Sequence, residues 1–209
     1  MIGIIDYGMG NLFSVSKALE RLDIPYFLSD CPEELGKADG LILPGVGAFR
    51  DAMKLLKEKK LDQFLQNFTD EGKPLLGICL GMQLLFEKSE ENGVWQGLSL
   101  LKGRITKIPR KEEQLKIPHM GWNELTFSHD SALLDDLKEG YVYFVHSYYA
   151  SEMNQEDRIA VTFYGEEIPA VVGRGNIFGM QFHPEKSSEL GIGLLQNFTN
   201  IVKGLETIK

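Results

Sequence analysis

At 209 residues, 43% hydrophobic and 25% charged, the chain is long enough to bury one large core and has an ordinary globular composition. Its formal net charge of -8, with no basic stripe, argues against nucleic acid as the main partner. No apolar run approaches the ~20 residues of a membrane helix, and two cysteines, Cys31 and Cys79, are too few for a disulfide scaffold.

Met1 to Asp6 lacks a basic leader region, so a cytoplasmic protein is expected. Ile2 to Ile5 reads as a buried strand, followed by the loop Asp6 to Asn11. Asn11 is placed to cap an amphipathic helix carrying Leu12, Val15, Leu19 and Leu22. Gly8 and Gly10 lack the third glycine of a dinucleotide fingerprint. Tyr26 to Ser29 reads as a second strand, and Ser29 to Glu34 as a short capped helix in which Cys31 is structural. Gly40 to Leu43 is a third strand, running into Pro44-Gly45-Val46-Gly47. Helical patterns cover Ala48 to Lys60 and Leu61 to Glu71, and Pro74 to Ile78 is a strand buried on both faces. Leu80 to Phe86 then suits a core-packed helix.

Beyond Gly93 the texture becomes β-rich. Strands are expected at Arg104 to Ile108, Trp122 to Phe127, Tyr141 to Val145, Ile159 to Phe163, Ala170 to Val172 and Ile177 to Met180. Arg110 to Lys116 reads as an exposed charged loop, and a helix from Ser188 to Lys203 closes the chain. Alternating strands and helices with short Gly/Pro connections predict an α/β fold. It has a mostly parallel central sheet flanked by helices, plus a β-rich antiparallel portion in the C-terminal half, in one domain over residues 1–209.

Three segments carry chemistry. Gly77-Ile-Cys79-Leu-Gly81 has the form of a nucleophile elbow: the glycines let strand and helix pass close to a strained turn, and the helix start favours a thiolate on Cys79. The other reading is a small buried core cysteine. Pro44 to Gly47 presents backbone N–H groups at a strand end, or is an ordinary turn. His183 and Glu185, two residues apart on an extended backbone, point to one side, where the carboxylate fixes the imidazole tautomer. A partly exposed histidine beside a solvated glutamate is the alternative. His119, His129 and His146 have no metal-ligand spacing, so no metal site is expected, and His146 reads as packed or hydrogen-bonded.

These segments, with Ile5 to Leu12, Pro44 to Phe49, Cys79 to Glu87, Pro118 to Asn123, Phe144 to Tyr148 and Phe178 to Ser187, resemble the triad-type class I glutamine amidotransferases. The resemblance is strongest to the glutaminase subunits of imidazole glycerol phosphate synthases. It implies a cofactor-free enzyme that hydrolyses L-glutamine and passes ammonia to a cyclase/synthase subunit making imidazole glycerol phosphate and AICAR in histidine biosynthesis. Cys79, His183 and Glu185 are then the triad, and Leu80, Val46 and Gly47 the oxyanion donors. Gln83, Glu91, Ser147 and Tyr148 line the glutamine pocket, while Asn11, Trp122, Tyr143 and Lys186 face the partner. The rivals are another ammonia donor on the same fold, serving anthranilate, pyridoxal phosphate or guanylate synthesis, and a non-enzymatic flavodoxin-like module with an incidental Cys79.

Overall fold

In chain order the elements are strand β1 (Ile2–Ile5), helix α1 (Leu12–Arg21), β2 (Tyr26–Ser29), α2 (Pro32–Leu35), β3 (Gly40–Gly45), α3 (Phe49–Glu58), α4 (Leu61–Asp70), β4 (Leu75–Cys79), α5 (Leu80–Leu84), β5 (Phe86–Ser89), β6 (Trp95–Gln96), β7 (Leu101–Lys107), β8 (His119–Phe127), β9 (Gly140–His146), β10 (Tyr148–Ser151), β11 (Arg158–Phe163), β12 (Glu167–Arg174), β13 (Ile177–Met180) and α6 (Ser188–Glu206). The computed structural model describes residues 1–111 and 115–206, with the side chains of the last two left aside. The expected loop from Arg110 to Lys116 therefore lies partly outside the described residues; Arg110, Lys111 and Lys116 are exposed.

A nine-stranded sheet runs in the order β2-β1-β3-β4-β13-β12-β11-β8-β9. Its first five strands are parallel, and from β13 onward the neighbours are antiparallel. This is the expected α/β class, with the antiparallel part continuing the parallel sheet. A second sheet, β10-β7-β5-β6, lies beside it. One face of the large sheet packs against α1 and α6 through Val15, Leu19, Leu194 and Phe198. The other packs against α3, α4 and α5 through Met53, Leu56, Leu65 and Met82. No helix among the described residues is long and apolar enough to cross a membrane.

Several boundaries differ from the sequence reading. The helix expected to reach Phe86 ends at Leu84, and Phe86–Ser89 pairs with β6 and β7 as a strand. Phe86 is buried in either state, so its apolarity does not separate helix from strand. Asn11 does cap α1, its side chain accepting from the Ser14 N–H at 3.3 Å. Cys31 is half-buried, and its thiol donates to Glu33.

The tightest constraint sits where β4 meets α5. A Cβ on Gly81 would lie 1.8 Å from the Leu43 carbonyl oxygen, and one on Gly77 would lie 2.6 Å from the Gly81 carbonyl oxygen. Both collisions are with backbone, which cannot swing aside. Gly81→Ala is expected to destabilise the fold by about 3 kcal/mol, read as a lower urea midpoint with an unchanged m-value. A midpoint equal to that of the unmodified chain would contradict this packing.

Candidate active site

Three neighbouring parallel strands deliver their ends to one place, as the carboxyl edge of such a sheet does. In register, Gly45 of β3 lies opposite Cys79 of β4, and Met180 of β13 opposite Ile78. The chain leaving β13 runs on through Gln181 and Phe182, which brings His183 beside Cys79. Cys79 itself adopts φ 55° and ψ -112°, a conformation that L-residues avoid, and it is 7% exposed. It is thus presented on a tight turn between β4 and α5. Because α5 has only five residues, its dipole is smaller than the longer helix of the sequence reading implied.

The thiol's neighbour in the cleft is His183, which is hydrogen-bonded to Glu185 on its other side. Glu185 Oε1 stands 2.8 Å from His183 Nδ1, and the two side chains are 4% and 1% exposed. A carboxylate accepts, so Nδ1 carries the proton and Nε2 faces the sulfur. Burial opposes charge on this ring, but the bonds and charges of Cys79 and Glu185 outweigh it and push the pKa up to about 10. The extended backbone expected between His183 and Glu185 is not found. Pro184–Lys186 forms a single 3-10 turn, and it is this turn that brings the carboxylate back onto the ring. Ser187, fully buried, clamps the turn: its hydroxyl donates to the His183 carbonyl at 2.7 Å and accepts from the Tyr143 N–H at 2.9 Å.

Val46 and Gly47 lie at the mouth, where Val46 is exposed and Gly47 has φ 102°. Behind them Tyr7 is buried, and its hydroxyl would lie 2.8 Å from any Cβ on Gly45. Burial raises its pKa, and the neighbouring Cys79 adds to the rise. Neither Tyr7 nor Ser187 was legible as a site residue, because both act through contacts between distant segments.

A cleft of ≈ 490 Å³ opens over Cys79, lined among others by Val46, Gly47, Leu80, Gln83, Glu91, Ser147, Tyr148 and His183. All eight of these belong to the group expected from the sequence. Gln83 Nε2 donates to the Tyr148 carbonyl and to Gln181 Oε1, both at 3.0 Å. Glu91 Oε2 accepts from the Phe49 N–H at 2.8 Å, which fixes an anionic group in the wall. Trp122 is 52% exposed and meets Tyr143 edge-on at 6.1 Å between ring centroids. Lys186 is exposed and Asn11 half-buried. No three His, Cys, Asp or Glu side chains among the described residues are grouped to hold a metal ion.

The family model for the class-I glutamine amidotransferases matches residues 3–201. The chain belongs to that family. This amidotransferase is 58% identical over 207 residues to the imidazole glycerol phosphate synthase subunit HisH of Geobacillus sp. (strain WCH70), covering 98% of each chain. It is 60% identical over 201 residues to the HisH subunit of Bacillus licheniformis, covering 95% of each. Within the family it therefore belongs with the HisH subunits. A crystal structure titled as a glutamine amidotransferase superposes with a TM-score of 0.76 at 20% identity, covering 97% of this chain and 98% of that one, which supports the fold alone.

Two other histidines, His146 in the cleft wall and His119 against it, are in the opposite state. Burial lowers His119 to about 4; it lowers His146 to about 3, with the charges of His119 and His183 adding to the effect. Above the ordinary value of 6.5 both are neutral whether folded or not. Below it the unfolded chain takes up protons that the folded chain refuses, so stability falls as pH drops from 6.5 towards about 4 and 3. His119→Asn should flatten this acid slope when urea midpoints are compared from pH 7 down to pH 4.5. An unchanged slope would show that His119 takes up protons equally in the folded and unfolded chains over this window.

Proposed function

We propose that this chain is the glutaminase half of an imidazole glycerol phosphate synthase, acting as one domain across residues 1–209 on L-glutamine. The observation that carries the reading is the buried Cys79–His183–Glu185 chain at the elbow, in a protein that shares most of its sequence with HisH subunits. In this reading the Cys79 thiolate attacks the carboxamide carbon of glutamine. The oxyanion that forms is held by the Leu80 N–H and by N–H groups of Val46 and Gly47. His183 Nε2 gives its proton to the departing nitrogen, which leaves as ammonia, and a glutamyl thioester remains. His183 then takes a proton from water, whose oxygen displaces the sulfur and releases glutamate. Glu185 holds the ring throughout.

Glu91 suits the α-ammonium of glutamine, since an anion fixed by the Phe49 N–H needs no reorganisation to meet a cation. Gln83 orders the wall, and the backbone at Ser147 and Tyr148 meets the α-carboxylate. The working form is a cytoplasmic heterodimer in which ammonia is channelled to the cyclase subunit for its lyase and ring-closing chemistry. The two free cysteines suit a reducing compartment. Exposed Trp122 with Tyr143, Lys186 and Asn11 forms the docking face, as aromatic anchors favour. Relatives at 58% and 60% identity favour this over the other ammonia donors, and the buried, hydrogen-bonded His183 favours an enzyme over a binding module.

Cys79→Ala and His183→Ala are each expected to lower glutamine-dependent synthesis by roughly 10⁴-fold or more, while ammonium salts still support the partner at full rate. Loss of the ammonium-supported reaction too would point to assembly instead of chemistry. For the docking face, Trp122→Ala should weaken the complex by about 2 kcal/mol in a titration with the cyclase subunit. The isolated chain should change by no more than about 0.5 kcal/mol, as for an exposed position. The reverse ranking would remove Trp122 from the interface.

A further inference from the structure

The neutral histidines at the cleft, His146 in its wall and His119 against it, form a chain of hydrogen bonds that the chemistry above does not use. In the β8–β9 ladder His119 and His146 lie directly opposite one another. His119 Nδ1 is 3.0 Å from His146 Nε2, His146 Nδ1 is 2.9 Å from the Tyr148 carbonyl oxygen, and Asn123 Nδ2 is 3.2 Å from His119 Nε2.

The proton positions follow from both ends. A carbonyl only accepts, so His146 Nδ1 carries hydrogen and, the ring being neutral, Nε2 accepts from His119 Nδ1. At the other end Asn123 Nδ2 also donates to the Phe163 carbonyl at 2.9 Å, while its Oδ1 accepts from the Glu124 N–H. That orientation makes Asn123 a donor to His119 Nε2, which is the arrangement the first end requires. Phe144 and Tyr164 stack on the His119 ring and hold it in plane.

The chain terminates in the glutamine pocket. The Tyr148 carbonyl accepts from His146 and from Gln83, and the preceding Ser147 carbonyl accepts from the Ile108 N–H at 2.9 Å. Both carbonyls that flank the Tyr148 backbone are tied, so the segment has one orientation. We infer that His119 and His146 are positioning residues for glutamine: their one-directional relay from β8 holds the Ser147–Tyr148 backbone in the orientation that receives the substrate α-carboxylate. The inference rests on the reading of Ser147 and Tyr148 as pocket residues. Two leucines would fill the same space without the relay, but would leave the Tyr148 carbonyl and Asn123 short of partners.

The test separates substrate positioning from the nucleophile and from stability. The full chain, bound to its cyclase subunit, is labelled at Cys79 by two electrophiles: a diazoketone shaped like glutamine, and iodoacetamide, which needs no glutamine recognition. His146→Gln removes the donor to Tyr148, whereas His146→Asn keeps an N–H where Nδ1–H stood. His146→Gln is expected to slow the diazoketone about tenfold, or 1.4 kcal/mol, and to raise KM for glutamine by a similar factor. Its iodoacetamide rate should stay within about twofold of the unmodified chain, and His146→Asn should recover most of the loss. The inference is overturned if both reagents slow together, if neither slows, or if Asn and Gln behave alike. Should His146→Gln not fold, His119→Gln and His119→Asn give the same comparison one bond further out. If the unmodified chain itself shows no preference for the diazoketone, the pocket reading fails and takes the inference with it, a failure visible without any variant.

Discussion

The approach of Gly81 to the Leu43 carbonyl is the contact on which the site depends. It draws α5 against β3 more closely than any side chain allows, so the chain must reverse at the last residue of β4. That residue is Cys79, and its left-handed φ follows from the turn. Backbone strain of this kind, on the order of 1–3 kcal/mol, persists only where surrounding packing over-determines it. Here Leu80, Met82 and Leu84 supply that packing, all buried against the sheet.

The cleft keeps histidines of opposite character within one small volume. Burial disfavours the imidazolium at all three buried rings. Only His183 has Cys79 and Glu185 beside it, and their hydrogen bonds and charges reverse the sign of the shift. His119 and His146 have an amide and a carbonyl instead, which suit neutral rings. A proton-transfer group and a fixed scaffold are thus made from the same side chain by choosing its neighbours.

The two halves of the sheet divide the labour. Parallel strands β3, β4 and β13 aim their ends at a single point and carry Val46, Cys79 and His183 there. The antiparallel β8–β9 pair closes the cleft from the side, bringing Val145 and His146 up to it and leaving Trp122 in solvent. Ser187 joins the two, tying the His183 turn to Tyr143.

Much was legible in the sequence because it was local. Buried parallel strands declare themselves as short apolar runs, so β1 and β13 fell where expected, as did the more exposed edge strand β2. The elbow glycines flanking Cys79, and the Pro44–Gly47 turn, are local signals as well, as is the Asn11 cap. Tertiary structure alone decided what local pattern leaves degenerate. Phe86 is apolar whether it ends a helix or begins a strand, and pairing with Leu101 chose the strand. His183 and Glu185 meet through a turn set by Pro184 and clamped by Ser187, not through the extended spacing that their separation suggests. His119 and His146 are brought face to face only by the register of an antiparallel ladder. A hydrogen bond between residues that far apart depends on the pairing of whole strands, which the residue types at its two ends do not encode.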